Sequence, residues 1–122
     1  RAKFSRERMI KMSFSEYAGK CIEKEIKKGN ELIKTERVAQ IIFNEMRIAS
    51  RNNLNEFLPG LDLAYRLIIN MKPKIVTRFF MSELIRTMYN LCRTAEAYSL
   101  MVGLSHARQI VGHVEEFNGE IH

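Results

Sequence analysis

The sequence predicts an all-α protein, a compact bundle of about five helices. Three observations predict it. Apolar residues recur at three- and four-residue spacing, as on one face of a helix. Only two prolines and six glycines punctuate 122 residues, which leaves room for long helices. No segment alternates apolar and polar side chains in the manner of a half-buried strand. Seven methionines and no tryptophan agree with this, because methionine fills irregular gaps between helices.

The length suits a single domain, and a balance of 46% hydrophobic and 28% charged residues is globular rather than disordered. Residues 1–12 are expected as a basic N-terminal arm, 13–117 as one helical-bundle domain and 118–122 as a frayed tail. Ser13 or Ser15 can cap a first helix running to about Lys28, stopped by Gly29-Asn30. Thr35 is the expected cap of a second helix over about 36–50, broken at Arg51-Asn52-Asn53. Asn53 with Glu56 resembles a capping box, but Pro59 tolerates only the first turn. The third helix can therefore start at Leu58 and run to about Met71. Lys72-Pro73 turns the chain into an apolar fourth helix over about 74–92. The fifth spans about 95–117, with a possible interruption at Gly103 where Ser105 would recap it.

The net charge of +6 is unevenly placed. Arg1, Lys3, Arg6, Arg8 and Lys11 make the first twelve residues basic. Lys72, Lys74, Arg78, Arg86 and Arg93 oppose only Glu83 over residues 72–93. Past residue 93 the sign reverses, with Glu96, Glu115, Glu116 and Glu120 against Arg108. Such a body suits nucleic acid, an anionic surface, or stacking against a neighbouring subunit.

The sharpest feature lies in the second helix. At 100° per residue, Arg37, Gln40, Asn44, Arg47 and Arg51 fall within an arc of roughly 80°. Glu36 and Glu45 project elsewhere, and Val38, Ile41, Ile42 and Met46 cover the other side. Guanidinium groups fork onto phosphate oxygens and amides reach sugar hydroxyls, so an acid-free stripe of this kind suits a phosphate backbone. An ordinary solvated helix face has the same look. Lys72, Lys74, Arg78 and Arg86 form a second candidate surface. On the fourth helix Arg78, Arg86 and Arg93 share one side, with Phe80, Met81, Leu84, Met88 and Leu91 opposite. Tyr17, Tyr65, Tyr89 and Tyr98 are candidates for stacking on bases, or for the core.

Other chemistries are poorly represented. Cys21 and Cys92 are far apart and have no histidine at ligand spacing, which suits reduced thiols in a cytoplasmic protein. His106 and His113 lack a third metal ligand. No glycine-rich phosphate loop or catalytic triad is visible, and no metal or cofactor is expected. No run nears the ~20 apolar residues of a membrane span, and no signal-peptide pattern is seen. A first residue of Arg rather than Met leads us to expect that residues precede it. Arg108 and His113 have the Arg-x4-His spacing of HEPN-type ribonucleases, but on a continuous helix they diverge by about 140°.

Several segments, in order, give a family resemblance. They are Tyr17-Ala18, the run from Thr35 to Phe43-Asn44-Glu45-Met46-Arg47, Leu58-Pro59, Lys72-Pro73-Lys74, and Ala107-Arg108-Gln109-Ile110-Val111-Gly112-His113. Together they resemble the small α-helical subunit of type III-A CRISPR effector complexes, the Csm complex, over about 15–113. The small subunit of the related Cmr complex is a near neighbour. Gln40-Ile41 stands where the family has an Arg-Lys pair, and the Ala-Tyr expected after Lys-Pro-Lys occurs instead upstream, as Ala64-Tyr65. The resemblance implies a non-enzymatic scaffold in antiviral defence. Copies would stack in a ribonucleoprotein with other subunits, lining the groove where guide RNA pairs with target RNA and touching only backbone. The alternatives are an HEPN-type ribonuclease using Arg108 and His113, and a helical protein–protein adaptor.

Overall fold

A computed structural model describes residues 28–118. The basic arm, most of the expected first helix, Tyr17, Cys21 and most of the tail lie outside them. The described residues hold four α-helices and one pair of short strands. The order is β1 (Leu32–Lys34), α1 (Thr35–Arg51), a 3-10 turn (Asn55–Phe57), α2 (Leu58–Ile69), β2 (Ile75–Thr77), α3 (Arg78–Thr94), a second 3-10 turn (Tyr98–Leu100) and α4 (Met101–His113).

This order is one unit used twice. Leu32 and Ile75, Thr35 and Arg78, Asn55 and Tyr98, and Leu58 and Met101 begin matching elements, each pair 43 residues apart. The joints match atom for atom. Asn53 and Glu96 both take φ 59°, and the next residues, Leu54 and Ala97, donate to Ala49 O and Cys92 O at 2.8 Å each. The cores match as well: Ile33/Val76, Val38/Met81, Ile42/Ile85, Ala49/Cys92, Leu61/Leu104, Ala64/Ala107 and Ile68/Val111 are all buried.

The halves meet about an approximate twofold axis. β1 and β2 pair antiparallel, with Ile33 opposite Val76 and Leu32 and Lys34 opposite Thr77 and Ile75. Gly60 of α2 faces Gly103 of α4. A Cβ on Gly60 would lie 2.6 Å from Leu104 N, and one on Gly103 would lie 2.6 Å from Leu61 N. Glycine at this crossing brings two helix backbones into direct contact, with no side chain between them. α2 and α4 thus form the middle of the molecule. α1 packs on α2 and α3 packs on α4.

Several expectations need correcting. The fourth helix does not start at residue 74: Ile75-Val76-Thr77 is a strand, too short to show alternation, and α3 begins at Arg78 behind it. Thr77 caps α3, its hydroxyl oxygen accepting from Phe80 N at 3.0 Å. Thr35 does not cap α1. It is the first helical residue and is buried, with its hydroxyl 3.1 Å from Pro73 O and 3.3 Å from Lys74 O. Asn53 makes no capping box; its side of the turn needs a left-handed backbone, which asparagine tolerates. Leu58 does open α2, with Pro59 in its first turn. Gly103 does not interrupt α4, because its role is the crossing with Gly60.

Candidate nucleic-acid interface

α1 buries Val38, Ala39, Ile42 and Ala49, which fixes its rotation. Arg37, Gln40, Asn44, Arg47 and Arg51 are consequently all exposed, on one side of a 17-residue helix about 25 Å long. Among the described residues Arg47 and Arg51 have no acidic partner. Arg37 does have one. Its Nε lies 2.8 Å from Glu115 Oε2, and its Nη1 reaches Gln40 Oε1 at 3.4 Å. The stripe is therefore acid-free within its own helix but not in space.

Glu115 arrives because the segment after α4 folds back over β1. Val114 is buried, and Phe117 N donates to Leu32 O at 2.6 Å. Lys34 Nζ sits 5.2 Å from the Phe117 ring centroid. A hydrogen bond from its own backbone N–H, and then the Arg37 guanidinium, hold the Glu115 carboxyl below the ordinary carboxylate range. The turn before β2 comes to the same end of α1, since Lys74 O accepts from Thr35 N at 3.0 Å. Lys72 and Lys74 are exposed there and extend the basic character of this end, joined by the exposed Lys34.

Two predicted contacts do not belong to this surface. Arg78 is only 7% exposed. Its Nε and Nη2 hold Glu31 Oε1 at 3.0 and 2.6 Å, and its Nη1 donates to Val111 O at 2.6 Å. It is a structural residue tying α3 to the residue before β1 and to α4, and is too buried to serve as a phosphate ligand. Arg86 is exposed but lies on α3, beyond the α2–α4 layer from α1, and its Nη1 is 3.2 Å from Glu83 Oε1. Phe80 and Leu91, placed by periodicity on the apolar side of the fourth helix, are exposed because α3 is turned so that Met81, Ile85 and Cys92 face inward.

One aromatic residue lies outside the four tyrosines considered for stacking. Phe43 flanks the stripe, is 49% exposed, and rests against the half-buried Tyr65 with ring centroids 5.7 Å apart. An exposed ring beside a basic row is what base stacking needs. The signal was available: Phe43 lies about 60° from Gln40 around the helix.

On the other flank a groove of about 300 Å³ separates α1 from α4, floored by Ile41, Ile110 and Val114. At its rim His106 Nε2 lies 2.8 Å from Glu45 Oε1, and Phe57 packs on the imidazole at 5.5 Å. This pair, 61 residues apart, carries no sequence signal. His113 lines the groove too. Arg108 points the other way, with its Nε 3.1 Å from Ser82 Oγ of α3. The Arg-x4-His pair therefore does not converge on one phosphate. Among the described residues no group of three His, Cys, Asp or Glu side chains is placed to hold a metal. Cys92 is a buried free thiol. No described helix is long and apolar enough to cross a membrane. The chain shows no significant match to any protein-family model, curated protein or solved structure.

Proposed function

We propose that the protein is a non-enzymatic RNA-binding scaffold that holds single-stranded RNA along α1. Gln40, Asn44, Arg47 and Arg51 contact phosphate and sugar, Phe43 stacks on a base, and Lys72 and Lys74 extend the track past Arg37. The observation that carries this is the exposed pair Arg47 and Arg51, without an acidic partner among the described residues, beside an exposed aromatic ring. Charge plus stacking gives affinity without sequence preference. The resemblance to the small subunit of type III-A CRISPR effector complexes supplies a setting. Stacked copies and other subunits would line a guide–target RNA groove, with sequence read by the guide. Arg86 is a secondary contact in that assembly.

Titrating labelled single-stranded RNA against salt tests the proposal. Affinity should fall steeply as salt rises, because each neutralised phosphate releases counterions. Salt-independent binding, or strong preference for one sequence, rules it out. Incubating the pure protein with labelled RNA, with and without divalent metal, should leave the RNA intact. Cleavage that vanishes in His113→Ala would make it a ribonuclease instead. Failure to bind any RNA in the assembly would leave the adaptor.

A further inference from the structure

The chain leaves α4 at Val114, which is buried and extended, with φ −68° and ψ 144°. The residues after it cross back to the first half. Arg37 Nε donates to Glu115 Oε2 at 2.8 Å, Phe117 N donates to Leu32 O at 2.6 Å, and Lys34 Nζ stands 5.2 Å from the Phe117 ring centroid. Alternate residues of a strand bond to opposite neighbours. Glu31 O and Thr35 N bond toward the β2 side, to Arg78 N and Lys74 O, so Leu32 O belongs to the free edge of β1. The segment after α4 therefore lies along that edge, at the end of α1 that Lys34, Lys72 and Lys74 make basic.

The course of the chain does not require this placement. The matched segment of the first half, Lys72-Pro73-Lys74, leads into β2, whereas the segment after α4 leads into no described strand. Its contacts also copy those that RNA would make. A carboxylate on a guanidinium stands where a phosphate would, and a ring beside an ammonium stands where a base would. The contacts are few and wet. The Arg37 and Glu115 side chains are 46% and 64% exposed, and exposed pairs hold weakly. A segment held this way opens at low cost.

We propose, on the footing of RNA binding along α1, that residues 115–117 are an autoinhibitory strap, anchored at Val114, that closes the Arg37 end of the α1 track until single-stranded RNA displaces it. With the strap closed, RNA reaches Asn44, Arg47 and Arg51 but not Arg37 or Lys34. Displacement frees both cations and joins the track to Lys72 and Lys74. The closed fraction lowers the apparent affinity for RNA in proportion. The coupling is reciprocal, so bound RNA holds the strap open.

Phe117→Pro tests this. It removes the N–H that bonds Leu32 and the ring beside Lys34, and it leaves the net charge unchanged. Labelled single-stranded RNA at low salt should bind this variant about fivefold tighter than the parent. Phe117→Ala, which removes the ring alone, should give a smaller gain in the same direction. It decides the matter if Phe117→Pro lowers the melting temperature. In the parent, saturating RNA should speed hydrogen exchange at the Phe117 amide. The outcomes separate the strap from the function it regulates. Equal RNA binding by the parent and both variants overturns the strap and leaves the α1 track standing. So does a Phe117 amide whose exchange RNA does not change. Weaker binding by folded variants also overturns the strap, and makes Phe117 part of the RNA surface. If parent and variants all fail to bind RNA, the α1 track falls and the strap falls with it, because nothing is left to cover.

Discussion

The two halves of this molecule share a backbone plan and differ in almost everything the plan displays. Where α1 presents Arg37, Asn44, Arg47 and Arg51, α3 presents Phe80, Thr87, Asn90 and Thr94. Both helices bury the same face at the matched positions Thr35/Arg78, Val38/Met81, Ile42/Ile85 and Ala49/Cys92. Burial therefore fixes the outline of each half, and the exposed surface is free to specialise. Under the proposed function the first half binds RNA through that surface. The comparison is sharpest where a position is shared and its chemistry is not.

The largest effect should come from the one element both halves must share. Gly60→Ala and Gly103→Ala each put a Cβ against opposing backbone, which cannot yield as a side chain would. Each should cost about 3 kcal/mol or more, above the usual overpacking penalty. Gly112, with nothing within 4 Å of its would-be Cβ, is the control: Gly112→Ala should stabilise by roughly 0.5–1 kcal/mol as helix propensity predicts. Chemical denaturation measures all three. Equal, mild effects at Gly60 and Gly112 would break the idea that the halves join at a glycine crossing.

Much of this plan was legible in the sequence and its repetition was not. Periodicity located the α1, α2 and α4 regions, and Pro59 and Asn53 marked a real joint. The repeat escaped because only Ile42/Ile85, Gly60/Gly103, Leu61/Leu104 and Ala64/Ala107 are identical across residues 32–74 and 75–117. Burial conserves apolar character rather than identity, so Val38 answers Met81 and Ala49 answers Cys92. Of the proposed RNA contacts, the α1 stripe could be read because one helix defines it. Arg78 could not be placed, because its partners Glu31 and Val111 are distant in sequence and charge alone does not report burial. The approach of Glu115 to Arg37 was hidden for the same reason.

The first turns of α1 and α3 give the next test. Thr35 and Arg78 are the matched buried polar residues. Arg78→Ala should cost about 3 kcal/mol, because it strands Val111 O and leaves Glu31 without its cation. Thr35→Ala loses one hydroxyl, which still leaves Lys74 O bonded to the backbone, and should cost about 1 kcal/mol. A loss of RNA binding without loss of stability in Arg78→Ala would return that arginine to the interface.

On the surfaces the asymmetry should appear in binding rather than stability. Arg47→Glu with Arg51→Glu should weaken RNA binding by about tenfold or more at low salt. The equivalent changes on α3, Asn90→Glu with Thr94→Glu, should do far less. Neither pair should move stability by more than about 0.5 kcal/mol per substitution. Equal loss from both pairs would mean that net charge, not the α1 face, controls binding.

The joints differ by one strained residue. Asn53 and Glu96 share φ 59°, a region asparagine visits readily and glutamate does not. Glu96→Asn should therefore raise stability by about 0.5 kcal/mol, while Asn53→Glu should lower it by a similar amount.

The smallest effect concerns Glu115, the acid that the second half lends to the first. Its carboxyl titrates below the ordinary range in the folded protein, so the Arg37 contact is fully present above the ordinary glutamate range. The contribution is lost as pH falls through the lowered folded value. The pair is exposed, so its effect on stability is slight. Its effect on RNA should be easier to see. At neutral pH Glu115 occupies Arg37 and repels phosphate, and Glu115→Gln should tighten RNA binding by roughly twofold at low salt. In acid, once the parent's Glu115 is protonated, the two proteins should bind alike. All other groups are common to both proteins and cancel in the comparison. A twofold gap that persists at acid pH would mean that the substitution acts by moving the segment after α4 rather than by freeing Arg37. Arg37 would then bind RNA no better with its carboxylate partner gone, and the stripe would reduce to Gln40, Asn44, Arg47 and Arg51.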